Sequence, residues 1–114
     1  MLSIQKSFSD IVTKVAAITS EVNRAMDRYE QRTGGCSPAE EILEMGMLLA
    51  CVRRSRAMAM VISRRIPSPN QVPWEYADAI AGFASALFHF IDSCERRENA
   101  IGKKALGYRC ETTV

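Results

Sequence analysis

Arg53, Arg54, Arg56, Arg64 and Arg65 form the densest concentration of chemistry in this chain, and no aspartate or glutamate lies between Met45 and Trp74. A guanidinium is planar, permanently charged and forked, so it matches phosphate and carboxylate oxygens two at a time. All five are arginine and none is lysine, which points to anion recognition rather than mere solubility. On a helix turning 100° per residue, Arg53 and Arg64 fall about 20° apart, as do Arg54 and Arg65. With Arg56 they cover about half the circumference, in two groups roughly 16 Å apart along the axis. Leu48, Cys51, Val52, Met58, Ala59 and Ile62 fall on the opposite side. Arg64 and Arg65 suit the negative end of a helix dipole, but Arg53, Arg54 and Arg56 sit in mid-helix, beyond its reach. No carboxylate within one turn neutralises them. The pattern implies an anionic partner, either nucleic acid or an acidic protein surface.

Other reactive residues give little. His89 is the only histidine and stands between Phe88 and Phe90, the setting of a surface or boundary residue rather than a general base. Gly102-Lys103-Lys104 lacks the earlier glycine and the following Ser or Thr of a phosphate loop. Cys36, Cys51, Cys94 and Cys110 include no Cys-x-x-Cys pair, so neither a zinc site nor a disulfide framework is indicated and free thiols are expected. No catalytic residues, metal, cofactor or small-molecule substrate are therefore expected.

The 114 residues suffice for one domain, and 47% apolar with 25% charged is an ordinary globular balance. A net charge of +2 decides nothing by itself. Lys6, Asp10 and Lys14 interrupt the apolar positions of the N-terminus, which does not read as a signal peptide. The longest apolar stretch, Ala77 to Ile91, is broken by Asp78 and His89, so no membrane span is expected. A cytoplasmic location follows as the expectation.

Three helices must position these groups. Ile4, Phe8, Ile11, Val15, Ile18, Val22, Ala25 and Tyr29 recur at alternating steps of four and three, the a/d seam of a helix lying lengthwise against another. That seam serves either a bundle within one chain or a dimer between two. Three helices leave little else to cover it, so a dimer is expected. Gly34-Gly35 ends the first helix. Ser37, Pro38 and Glu40 supply the cap, first position and capping-box acid of the second. The second helix should run to about Arg65, roughly 40 Å, until Pro67-Ser68-Pro69 stops it. Pro73 opens a third, with Trp74, Tyr76, Ile80, Phe83, Leu87, Phe90 and Cys94 at heptad-like steps and an end near Arg97 or Asn99. Residues 1–101 thus form one all-α domain, and 102–114 form a basic tail expected to be flexible.

Recognition of single-stranded RNA would call for aromatics among the basic residues, and there are none. Sequence-specific DNA readers usually carry a shorter recognition helix after a tight turn. A long arginine-lined helix instead suits the backbone of a double-stranded RNA, read by shape. The segment Leu49-Ala50-Cys51-Val52-Arg53-Arg54-Ser55-Arg56, with Ser63-Arg64-Arg65, the stop at Pro67-Ser68 and the order of helices, resembles the small double-stranded-RNA-binding silencing suppressors of insect nodaviruses. The resemblance implies a viral protein of the host cytoplasm that dimerises into a four-helix bundle. It would lay paired long helices along an RNA duplex and shield it from processing. Arg53, Arg54 and Arg56 would then meet phosphate or ribose, and Arg64 and Arg65 the next groove. The alternative is a helical interaction module (adaptor, chaperone or inhibitor) that binds an acidic or amphipathic partner.

Overall fold

The structure is a computed structural model that describes residues 2–112, with side chains for 8–107 apart from Pro69. Helix α1 spans Leu2–Thr33, α2 spans Pro38–Ser63 and α3 spans Trp74–Thr112, with a 3-10 turn at Pro69–Gln71 between the last two. The chain is all-α, with no strand among the described residues.

Local chemistry accounts for the boundaries. Gly35 adopts φ +82°, a left-handed conformation that a side chain would strain. Ser37 Oγ accepts from the Glu40 amide at 3.3 Å, and Pro38 takes the first turn of α2, where its missing N–H is no loss. Beyond Ser63 the Arg65 amide donates to the Ile62 carbonyl, which tightens the end of α2 two residues before the expected stop. Ser68 and Gln71 then exchange side-chain and backbone bonds around the 3-10 turn.

Helix α2 is the central element. It packs against both α1 and α3, which meet each other only slightly, and the result is a rod of 62 × 21 × 17 Å. Ile18, Ala59, Ile62, Leu87 and Ile91 form one apolar cluster, with Ile11, Val15, Phe83 and Phe90 against it. Val22, Leu48, Val52 and Cys94 form a second, flanked by Ala25, Tyr29 and Ile101. The α1 seam is therefore consumed inside one chain, where Ile18 and Val22 are buried and Phe8 meets Phe83 edge-on at 5.4 Å. The side chain of Ile4 lies outside the described residues.

Two expectations about α3 differ from what is observed. The helix does not end near Arg97 or Asn99 but continues to Thr112, so residues 102–112 of the expected tail are helical. Ile101 packs on the second cluster, and Lys104 binds Glu41 and Tyr29, which draws the helix on past Gly102. At the other end Trp74 is no seam residue: it is 83% exposed, whereas Ile80, Leu87 and Cys94 carry the buried stripe.

Candidate nucleic-acid interface on the central helix

The five arginines divide into two kinds. Arg56 is drawn toward α3, its Nε 2.8 Å from Glu98 Oε2 and its Nη1 3.8 Å from Glu95 Oε1. Arg53 Nε lies 3.7 Å from the other oxygen of Glu98. The expectation that no carboxylate neutralises the mid-helix arginines is thus corrected for these two, because the acids arrive from a neighbouring helix rather than from a neighbouring turn. Both contacts of Glu98 are ion pairs of imperfect aim, since Arg56 Nε, which faces Oε2, and Glu98 Oε1, which faces Arg53, are each buried without a well-formed hydrogen bond. Arg54, Arg64 and Arg65 are exposed and make no ion pair among the described residues.

Two grooves border this face. One, of about 830 Å³, runs between α2 and the end of α3, with Arg53, Arg56 and Lys103 as its cations and Ile42 and Leu106 as apolar lips. The other, of about 440 Å³, runs between α1 and α2 over Ala57, Met58, Val61 and Ile62, rimmed by Lys14 and Arg65. Lys14 and Lys103 extend the basic surface beyond the arginines, and sequence reasoning had assigned neither to it. Lysine spacing within one helix cannot reveal them, because each joins the face from a different element.

The outer side of α2 is not purely basic. Ile42, Leu43, Met47, Met58, Met60 and Val61 are all exposed there, Leu43 by 66%. The expected division into a basic side and an apolar side therefore fails in part. Leu48, Val52, Ala59 and Ile62 are buried as expected and Cys51 is half-buried, but Met58 is exposed among the arginines.

The remaining reactive groups stand apart from the arginine face. Cys36, Cys51 and Cys94 are free thiols, and burial pushes the Cys94 thiol up from its ordinary pKa. Cys110 lies outside the described side chains. His89 is exposed on the far side of α3 beside Phe88. No three His, Cys, Asp or Glu side chains converge on a metal-sized site among the described residues, and no helix is long and apolar enough to cross a membrane. No protein-family model, curated protein or solved structure matches this chain.

Proposed function

We propose that this protein is a non-enzymatic, sequence-independent binder of double-stranded RNA, acting as a homodimer that covers the duplex and blocks its processing. The observation that carries this reading is the exposed trio Arg54, Arg64 and Arg65, which make no ion pair among the described residues and are spread along one side of α2 in a rod 62 Å long. From Arg54 to Arg64 the rise is roughly 15 Å, a spacing suited to separate phosphates along a backbone and not to one compact ligand. No aromatic side chain stands among them to stack a base, and a helix of 26 residues is longer than a groove-reading recognition helix needs to be. The resemblance to silencing suppressors points the same way and adds the expectation of a viral protein of the host cytoplasm.

Occlusion requires no bond chemistry, only affinity and length. Contacts to phosphates make the affinity steeply salt-dependent and indifferent to sequence. The test is a titration against a 20-base-pair RNA duplex, the same sequence as DNA, and single-stranded RNA, at two salt concentrations. Preference for the RNA duplex, lost in the Arg54→Ala/Arg64→Ala/Arg65→Ala variant and largely kept in Arg53→Ala/Arg56→Ala, is the expected result. Equal weak binding to all three would remove the reading.

A second reading is favoured by the exposed apolar residues on the same face. Leu43, Met47, Met58 and Val61 beside unpaired arginines suit an acidic amphipathic helix, which would make the protein an interaction module.

A further inference from the structure

Trp74 is the only tryptophan of the chain and, among the described residues, the most exposed of its large apolar side chains. Phe88, on the same helix, is 60% exposed. Large rings left in water are the usual anchors of protein contacts. These two belong to a pattern. Trp74, Asp78, Ala81, Ser85, Phe88 and Asp92 are all exposed and follow one another at steps of four, three, four, three and four. They span about 80° around α3, on the side turned away from the buried Ile80, Leu87 and Cys94. That is a heptad seam left open to solvent, narrow enough for one partner helix at a shallow angle.

The seam repeats one unit. Asp78 follows Trp74 by one turn, and Asp92 follows Phe88 by one turn. The two units are fourteen residues apart, roughly 21 Å along the axis. Between them the side chains are small: Ala81, Ala84 and Ser85 line a hollow of about 580 Å³ that Phe88, His89 and Asp92 close at one end. Residues four apart share a helix face, so each ring has a carboxylate beside it. A ring attracts a cation through its quadrupole, tryptophan most strongly, and a carboxylate attracts it through its charge. Both halves of each unit therefore select a cation. The surroundings agree, since Ile66 to Glu95 contains four acids and no Lys or Arg, and no cation lines the hollow. Asp78 makes no ion pair among the described residues. Asp92 lies 2.9 Å from Arg96, an exposed pair that water and salt weaken. Nucleic-acid bases could stack on the same rings, but their phosphates would meet these acids.

We infer that this face of α3 docks a basic helix of another protein, with two cationic side chains fourteen residues apart seated on Trp74–Asp78 and Phe88–Asp92. Small or apolar residues of the partner lie between them, over Ala81 and Ser85. Arginine suits each seat better than lysine, because a planar guanidinium stacks on a ring while its edge donates to a carboxylate. Two anchors that far apart require a partner helix of at least four turns. Arg54, Arg64 and Arg65 take no part, so the docking face stands without the RNA reading and leaves those arginines free.

The probe is a fluorescein-labelled helical peptide of about 21 residues, with an alanine and leucine stripe, a glutamine outer face and two arginines fourteen apart on the stripe. Two control peptides carry glutamates in place of the arginines, or arginines eleven apart. Anisotropy with the full chain should show saturable binding of the first peptide at tens of micromolar and much weaker binding of the controls. With the unlabelled peptide, emission from Trp74 should shift to the blue. Trp74→Ala or Phe88→Ala should weaken binding about tenfold. Asp78→Asn/Asp92→Asn should weaken it and flatten its salt dependence. All four positions are exposed, so helicity should not change in any variant, and Arg54→Ala/Arg64→Ala/Arg65→Ala should bind as the wild type does. Absence of saturable binding, equal binding of a control peptide, or full binding by Phe88→Ala or by the double asparagine variant would overturn the proposal. A wild-type dimer that Phe88→Asp dissolves would give the face to a second copy, and a blue shift with phosphatidylcholine vesicles would give it to a membrane. Either would also overturn it. Duplex-RNA titration of the same variants is a separate readout: a chain that binds the peptide but no RNA loses only the proposed function.

Discussion

Glu98 decides how much of the arginine cluster is available for binding. Its carboxylate is mostly buried, and it takes one oxygen to Arg56 and the other toward Arg53. An exposed ion pair contributes little, because water solvates both charges well and salt screens them. Arg53 is such a case, with 65% of its side chain open. Arg56 is only 31% exposed, so removing its carboxylate strands a guanidinium that water reaches poorly. Glu98→Ala should therefore destabilise the chain by about 1–3 kcal/mol in urea unfolding, whereas Arg53→Ala should change it by less than about 1 kcal/mol. Equal effects from the two variants would mean that the Glu98 contact is solvated like any surface pair. This division of the arginines was not legible in the sequence. Arg53 and Arg56 have no acid within a turn of their own helix, and their pairing depends on how α3 is rotated against α2. Glu95 and Glu98, three residues apart and thus on one face of α3, were the available hint, hidden because Arg96 and Arg97 separate them.

Among the elements, what the sequence disclosed was what local rules govern. The glycine turn, the Ser37 cap, the Pro38 start and the apolar period of α1 all act within a few residues, and each is found where it was expected. The length of α3 was hidden because two glycines and a run of charges read as an ending, and the contacts that overrule them come from 63 and 75 residues away. Lys104 Nζ lies 2.7 Å from Glu41 Oε1 on α2 and donates to the Tyr29 hydroxyl on α1, which itself donates to Glu41. One lysine thus ties three helices at the end of the rod. Its pKa is raised well above the ordinary lysine value, first by the hydrogen bond to Glu41 and next by that to Tyr29. A group raised on folding contributes stability that is complete below its unfolded pKa and is lost as pH climbs through its folded pKa. Lys104→Met should lower unfolding free energy by less than about 1 kcal/mol near neutrality, since the side chain is half exposed. The gap from the wild type should close only above about pH 10.5. Faster amide exchange in Lys104→Met should be confined to the α3 segment after Ile101 and the first turn of α2. Exchange unchanged there would show that α3 holds this end without the lysine.

At the scale of the whole molecule, number of copies and number of phosphate contacts are linked, and salt can count them. Counterion release makes the logarithm of affinity fall with the logarithm of salt, with a slope of about 0.9 for each phosphate neutralised on a duplex. In a monomer bound alone, Arg64→Ala removes one contact and should reduce the slope by about 0.9. In a homodimer that lays both copies on one duplex, as proposed, one substitution removes two contacts. The slope should then fall by about 1.8. Arg65→Ala should behave in the same way, because Arg65 is equally exposed and makes no ion pair among the described residues. A measured decrease near 0.9 for both variants would indicate independent monomers on the RNA. A decrease near 1.8 for each would place two copies on one duplex, both offering the same exposed arginines of the long rod to its phosphates.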